Sequence, residues 1–254
     1  MKEPRFLIVA TGYNCGQYVG KCMQSVYNQT YKNFTFVVVS DGSTDNTEKE
    51  IHKHWITKNT YIRIWNDNKG ACYRRYEVIN GITTPPIDND TIVCLLGLDD
   101  ELLPDALETI AEQYRNGKYM TYGNWINQHG ESLPKDFDLY FDEETHANRD
   151  YRKVKYRSTA MNTFYAKLFK QIPMQDFMLN GKWIDTTTES EVMFSCLEMC
   201  GKEKIGVVEK PIYLYNQLLP NGTQIRLGQE YKNSIYSEII KRPKKDLTTW
   251  KAKQ

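Results

Sequence analysis

Two adjacent carboxylates, Asp99 and Asp100, close the apolar run from Thr91 to Gly97 and are followed by Glu101 and Pro104. The run has the composition of a buried strand, and Pro104 suits the first turn of a helix reaching about Tyr114. Paired carboxylates at a strand terminus offer hard oxygen ligands, which suits a divalent cation held against a diphosphate. Acids just ahead of a helix also simply favour its N-terminus, so the pair needs company before it marks a site. Two segments supply it: Thr11-Gly12-Tyr13-Asn14 after the apolar run Phe6-Leu7-Ile8-Val9-Ala10, and Ser40-Asp41-Gly42-Ser43-Thr44-Asp45 after the β-branched run 34–39.

The elements that must position these residues alternate in type. Strands are expected at 6–10, 34–39, 61–65 and 92–96, with helices at 16–28, from about Ser43 to Trp55, at 70–80 and at 104–114. This alternation predicts an α/β fold with a doubly wound, mostly parallel sheet. Ligands of such sheets bind beyond the carboxyl ends of the strands. All three polar segments sit at such ends, so a parallel sheet gathers them round one cleft fit for a nucleotide and a metal. The second half is less regular. A strand is expected at 118–127, a charged loop over the cleft at 134–155, and a short helix at 163–170. A capping box at Thr188-Glu189-Ser190-Glu191 opens a helix through Cys200. Short strands follow at 205–208 and 211–215, and a helix from Gly228 leads into the basic tail Lys241-Arg242-Pro243-Lys244-Lys245.

The 254 residues carry 33 basic and 32 acidic side chains, 40% hydrophobic and 26% charged residues overall. Such a chain is globular in composition and lacks a general electrostatic pull toward nucleic acid or anionic membrane. No run approaches the roughly 18 apolar residues of a membrane span. The start, Met1-Lys2-Glu3-Pro4-Arg5, leads straight into a strand without a secretory apolar region, from which a cytoplasmic location is expected. Six cysteines without CxxC spacing are expected to be free, buried thiols.

The order and spacing of these segments, from about Phe6 to Asn216, resemble the nucleotide-diphosphate-sugar transferases of glycosyltransferase family 2, whose fold is called GT-A. The resemblance implies that Thr11, Tyr13 and Asn14 line the nucleoside, and that Asp41 accepts from the base or ribose in a "DDGSTD"-like loop whose first acid is here Ser40. Asn68-Lys69-Gly70-Ala71-Cys72-Tyr73-Arg74-Arg75 resembles the family's "N-x-G" segment with its arginine, placed at Arg75 with Arg74 as the competing register. Asp99-Asp100 match the "DXD" element, with Gly97 where many members have another acid. One carboxylate, assigned to Asp99, then addresses the ribose or a metal-bound water, while Asp100, with Asp99 beside it, holds Mn²⁺ or Mg²⁺. The stretch from Thr188 to Gly201 resembles the family's "ED" helix, with Glu189 at the Glu and Ser190 at the Asp. Glu189 is therefore the first candidate for catalytic base, followed by Glu191 and Asp185.

The expected organisation is a GT-A domain over 1–225, with a nucleotide-binding half (1–117) and an irregular acceptor-binding half (118–225), and a C-terminal helix and basic tail (226–254). The expected activity is inverting transfer of a sugar from a nucleotide diphosphate, a UDP-sugar by family usage, to a hydroxyl acceptor in surface glycan synthesis. Two alternatives are a transferase acting on hydroxymethylated bases of viral DNA and a non-catalytic sugar-nucleotide-binding module. The first would use the basic tail to track phosphates, against which the near-zero net charge argues; the tail equally suits an anionic membrane surface presenting a lipid-linked acceptor. The second is motivated by Ser40, Gly97 and Ser190.

Overall fold

The computed structural model describes residues 3–56, 59–84, 86–217 and 227–248. Strands β1 (Phe6–Gly12), β2 (Phe34–Asp41), β3 (Thr60–Trp65) and β4 (Ile92–Gly97) alternate with helices α1 (Gly16–Tyr27), α2 (Thr47–His54) and α3 (Ala71–Ile79). The four strands pair in parallel in the order β3-β2-β1-β4. Successive side chains point to opposite faces of a strand, and both faces here are covered. Phe6, Ile8, Ala10, Phe36, Val38, Cys94 and Leu96 pack in one core with α1, while Leu7, Val9, Val37, Val39, Val93 and Leu95 pack in the other. Burial on both faces is why these strands read as continuous apolar runs.

Register then does the positioning. Thr11 stands opposite Gly97, Gly12 opposite Ser40, and Asp41 opposite Trp65. The three polar segments therefore leave the sheet at one level and at the same edge.

The rest of the chain comprises β5 (Glu101–Leu102), α4 (Ala106–Arg115), β6 (Met120–Asn127), α5 (Glu143–Asn148), β7 (Thr163–Tyr165), α6 (Ala166–Phe169), β8 (Met178–Leu179), β9 (Lys182–Trp183), α7 (Thr188–Met199), β10 (Ile205–Tyr215) and α8 (Gln229–Ile240). The sheet continues β4-β7-β6-β10-β5, with β7 antiparallel to both neighbours and β6 parallel to β10. The result is the expected α/β architecture, with a mixed, mostly parallel sheet.

Several local expectations give way. Helix α4 begins at Ala106 with Asp105 at its N-cap, two residues beyond Pro104. Thr163–Tyr165, expected to open a helix, is instead a central strand; its Thr-Phe-Tyr composition favours the pleated, half-packed surface it occupies. The expected strands 205–208 and 211–215 are one strand, β10, whose register shifts around Pro211, where a bulge tolerates the missing N–H. Residues 134–155 do not lie over the cleft. They form α5, capped by Asp142, and a 3₁₀ turn at Tyr151–Lys153 whose Arg152 is buried against α7. The capping box is also absent: α7 starts after Thr187, whose side chain makes no cap, and Glu191 turns inward to Arg152.

Candidate functional site

A cleft of about 470 Å³ opens at the carboxyl ends of β1, β2 and β4. Its floor comes from Thr11, Gly12, Tyr13, Asp41, Asp99 and Asp100, one wall from Gly70 and Arg75, and the other from Trp125, Tyr156 and Ser158. Asp185 to Ser190, Tyr215, Asn216 and Lys232 complete it. The three polar segments thus meet as their strand-end positions require.

Asp41 is 3% exposed and fully engaged. One oxygen accepts from the Lys69 amide (3.0 Å) and Arg74 Nε (2.6 Å), the other from the Gly70 amide (2.7 Å). It thereby ties the Asn68–Gly70 turn to the end of β2. The two arginines divide cleanly. Arg74 is buried outside the cleft, bonded to Asp41, Asp67 and Glu77 and stacked on Trp65 with its guanidinium 4.4 Å from the ring centre. Arg75 lines the cleft and pairs with Glu189. Asn14 departs from expectation: its side-chain oxygen accepts from the amide of Thr44 (2.7 Å), and it is not among the cleft-lining residues. It clasps the first polar loop to the second instead of meeting a ligand directly.

Asp100 Oδ2 accepts from the Tyr213 hydroxyl (2.6 Å) and Oδ1 from the Asn216 amide (2.8 Å). Burial, and then the charge of Asp99, push the Asp100 carboxyl well above its ordinary range in spite of these donors. Burial likewise raises Asp99, with Arg75 opposing. Two neighbouring buried carboxylates resist ionising together unless a cation joins them. The geometry fits one. A Cβ on Gly97 would lie 2.6 Å from both Asp99 Oδ1 and Asp100 Oδ2, so both oxygens crowd the same bare stretch of backbone. A side chain at 97 would have to push these two carboxylate oxygens aside. Among the described residues no group of three or more His, Cys, Asp or Glu is placed to hold a metal. A divalent ion here would use two carboxylates and complete its shell from phosphate and water, as Mg²⁺ commonly does. Gly12 serves the same corner: a Cβ there would meet Cys15 Sγ at 2.6 Å and Leu98 Cβ at 2.7 Å, displacing the residue that leads into Asp99.

The base candidates separate. Burial works to raise Glu189, but its partner Arg75 prevails and holds it below the usual carboxylate range. Asp185 lines the cleft, accepts from the Tyr231 hydroxyl at Oδ2 (3.2 Å), and keeps a buried Oδ1 without a hydrogen-bond partner. Glu191 is removed from candidacy. It is fully buried behind α7, bonded to Arg152 (3.0 Å), Arg242 (3.0 Å) and Ser195 (2.8 Å). Ser190, at the position of the family's Asp, lines the cleft with no charge to offer.

Buried polar atoms lacking a protein partner gather in this cleft: Thr11 Oγ1, Arg75 Nε, Ser158 Oγ and Asp185 Oδ1. Such atoms are costly unless a ligand or water satisfies them. Sequence reasoning passed over Trp125, Tyr156, Ser158 and Lys232. Trp125 and Tyr215 sit on adjacent strands β6 and β10 with ring centres 5.7 Å apart, an aromatic wall. The sequence's 18 tyrosines and 5 tryptophans were the available signal, but a count carries no position.

The basic tail is committed internally. Arg242 pairs with Glu191, Lys244 with Asp150, Lys245 with Asp176 and Lys241 with Glu238. That disfavours the tail as a tracker of nucleic-acid phosphates; Lys251 and Lys253 lie outside the described residues. All six cysteines are free and buried, as expected. No described helix is long and apolar enough to cross a membrane.

Comparison with known proteins agrees with this geometry. The S. aureus TarS 1–349 structure in complex with UDP-GlcNAc superposes with a TM-score of 0.67 at 14% identity, covering 93% of this chain and 65% of that one. Glucosyl-3-phosphoglycerate synthase from Mycobacterium tuberculosis gives 0.61 at 12% identity, covering 93% and 77%. At these identities the likeness is one of fold, the GT-A fold. In sequence, glycosyltransferase GlyG of Streptococcus pneumoniae is 30% identical over 122 residues, 47% of this chain and 38% of its own length. Chondroitin synthase of Escherichia coli is 29% identical over 117 residues, 45% of this chain and 16% of its own. The matches thus span well under half of either curated relative. The model of "Glycosyl transferase family 2" matches residues 7–176, 170 of the 254, and the chain belongs to that family.

Proposed function

We propose that this protein is an inverting, metal-dependent glycosyltransferase that moves a sugar from a nucleotide diphosphate, preferentially a UDP-sugar, to a hydroxyl acceptor in surface glycan synthesis. The observation that carries the reading is the meeting, in one cleft at the strand ends, of the Asp99–Asp100 pair with polar atoms that lack partners. The superposing structures support the donor and metal, since they hold UDP-GlcNAc, GDP-Man with Mn²⁺, or UDP with Mn²⁺. The names of the relatives, among them chondroitin and hyaluronan synthases and a teichoic acid polymerase, support the setting.

In this reading Thr11, Tyr13 and Asp41 border the nucleoside, and Asp99 and Asp100 hold Mn²⁺ or Mg²⁺. Such an ion supplies Lewis-acid neutralisation of charge developing on the leaving diphosphate. Glu189, kept ionised by Arg75, orients the guanidinium and offers an acceptor to sugar hydroxyls. Asp185 takes the proton. As the acceptor oxygen bonds to the anomeric carbon, its hydrogen passes to Oδ1, and the bond from that carbon to the diphosphate oxygen breaks with its electron pair staying on phosphate. Two carboxylates in one cleft whose surroundings differ in this way are suited to different roles. A second reading gives the proton to Glu189, and its ion pair with Arg75 argues against it.

A thermal-shift panel of UDP-, GDP- and dTDP-sugars with and without Mn²⁺ tests the proposal. A UDP-sugar with Mn²⁺ should stabilise the protein by about 2.7 kcal/mol at a hundredfold excess over Kd, and Asp100→Asn should lose that effect while remaining folded. No stabilisation by any nucleotide sugar would sink the reading. Stabilisation that survives both EDTA and Asp100→Asn would remove the metal from it.

A further inference from the structure

Among the described residues two cations line the cleft, Arg75 and Lys232, and they differ in commitment. Arg75 is paired with Glu189. Lys232, one turn into α8, forms no salt bridge among the described residues, although it lies near enough to Glu189 for their charges to interact. It is half-buried, and the loss of water around it pulls its ammonium below the usual lysine value, with Glu189 working against the shift. Neighbouring Tyr231 anchors the same helix turn to Asp185. Asp185 in turn backs onto Gly70, whose Cβ position would be 3.8 Å from the Asp185 Cα. Helix α8 therefore borders the cleft beside Asp185 and Glu189.

Charge bookkeeping narrows what Lys232 is for. The cleft contains Asp99, Asp100, Asp185 and Glu189, with Asp41 already neutralised by Arg74. An anionic ligand entering so acidic a space needs a cation that no carboxylate has claimed. We infer that Lys232 is a phosphate-binding residue, contributed by a helix that lies outside the family-matched segment 7–176. The phosphate belongs either to the donor's diphosphate or to a phosphorylated acceptor. The inference rests on the function proposed above and adds a residue to its site.

The test is calorimetry on the full chain with Mn²⁺ present, comparing wild type, Lys232→Ala and Lys232→Arg. Uridine, UDP and, in the UDP-saturated protein, inorganic phosphate are the probes. If the donor supplies the phosphate, Lys232→Ala weakens UDP about tenfold, equivalent to about 1.4 kcal/mol. Uridine is then unaffected, and Lys232→Arg restores most of the loss. If the acceptor supplies it, UDP binds both proteins alike, and inorganic phosphate binds the wild-type UDP complex but not that of Lys232→Ala. Equal behaviour of all three proteins toward all three probes overturns the inference. Failure of the wild type to bind UDP at all instead defeats the transferase reading. The variants should melt close to the wild type, because Lys232 forms no salt bridge among the described residues.

Discussion

Helix α7 carries two glutamates two residues apart that have opposite fates. Residues at that spacing point roughly 200° apart around a helix, so Glu189 reaches the cleft and Glu191 the interior. Glu189 meets a single arginine, Arg75, and its side chain stays 40% exposed. Glu191 is fully buried within a network: Arg152 also takes Glu198, Arg242 joins Glu191, and the Lys245 amide caps Glu198. In the network nearly every charge is answered by protein, which joins α7 to the 3₁₀ turn at 151–153 and to the segment after α8. In the cleft, charges and polar atoms are left partly unanswered. The first arrangement holds the helix in place, and the second spends that rigidity on a ligand.

Removing Arg152 should break this division with the largest effect. Arg152→Ala leaves Glu191 and Glu198 buried without their main partner, which costs about 4 kcal/mol, readable as a fall in the urea midpoint. The loss has a predictable pH dependence. Burial already raises Glu198 above its ordinary value in spite of Arg152, and without that arginine it rises further. A carboxyl whose folded pKa exceeds its unfolded one binds its proton more tightly in the folded state. Its contribution to stability is therefore greatest at low pH and is lost as pH rises through the folded pKa. The deficit of Arg152→Ala should accordingly shrink as pH falls from neutral toward the carboxylate range. A constant deficit across that range would mean that lost packing, not the stranded acids, causes it.

On the cleft side, Asp185→Asn should lower kcat by about 10²-fold while leaving UDP affinity and melting temperature near wild type. Glu189→Gln should lower stability by about 1–3 kcal/mol, because the buried Arg75 guanidinium loses the charge that answers it while keeping an amide oxygen to donate to. It should also alter KM, since Arg75 loses its anchor. Full activity in Asp185→Asn together with a dead Glu189→Gln would reverse the two roles.

This contrast also explains what the sequence disclosed. The first 117 residues were legible because their strands are buried on both faces and end in short polar loops. Each pattern is local, and the parallel register converts it directly into a place. Asp41, Asp99 and Asp100 reach the cleft in that way, whereas Arg75 was placed by the family resemblance and reaches it from α3. Beyond residue 118 the decisive contacts are long-range. Nothing near Glu191 in sequence announces that Arg152, 39 residues earlier, will draw it into the core. For the same reason the charged, aromatic and poorly periodic stretch at 134–155 looked like a loop over the cleft. Asn14 failed differently: its loop was placed correctly, but an Asn side chain can satisfy a neighbouring loop's amides as readily as a ligand. Lys232 went unnoticed because only the fold brings α8 back to the sheet's carboxyl edge.

The smallest effect concerns the residue that starts α7. Thr187 sits at φ 53°, ψ 22°, in the left-handed region, and lines the cleft two residues before Glu189. A β-branched residue is an outlier there, and such strain costs on the order of 1–3 kcal/mol. Glycine takes this conformation freely and is accepted at an N-cap, though it loses more freedom on folding. Thr187→Gly should therefore raise stability by about 1 kcal/mol, or about 2–4 °C in Tm for a chain of this size. If the bend is what aims the first turn of α7, relaxing it lets Glu189 and Arg75 move, and activity should fall as stability rises. A variant that is both less stable and fully active would show that the bend at Thr187 neither stores strain nor steers Glu189, and the distinction between the two faces of α7 would then rest on the Arg152 network alone.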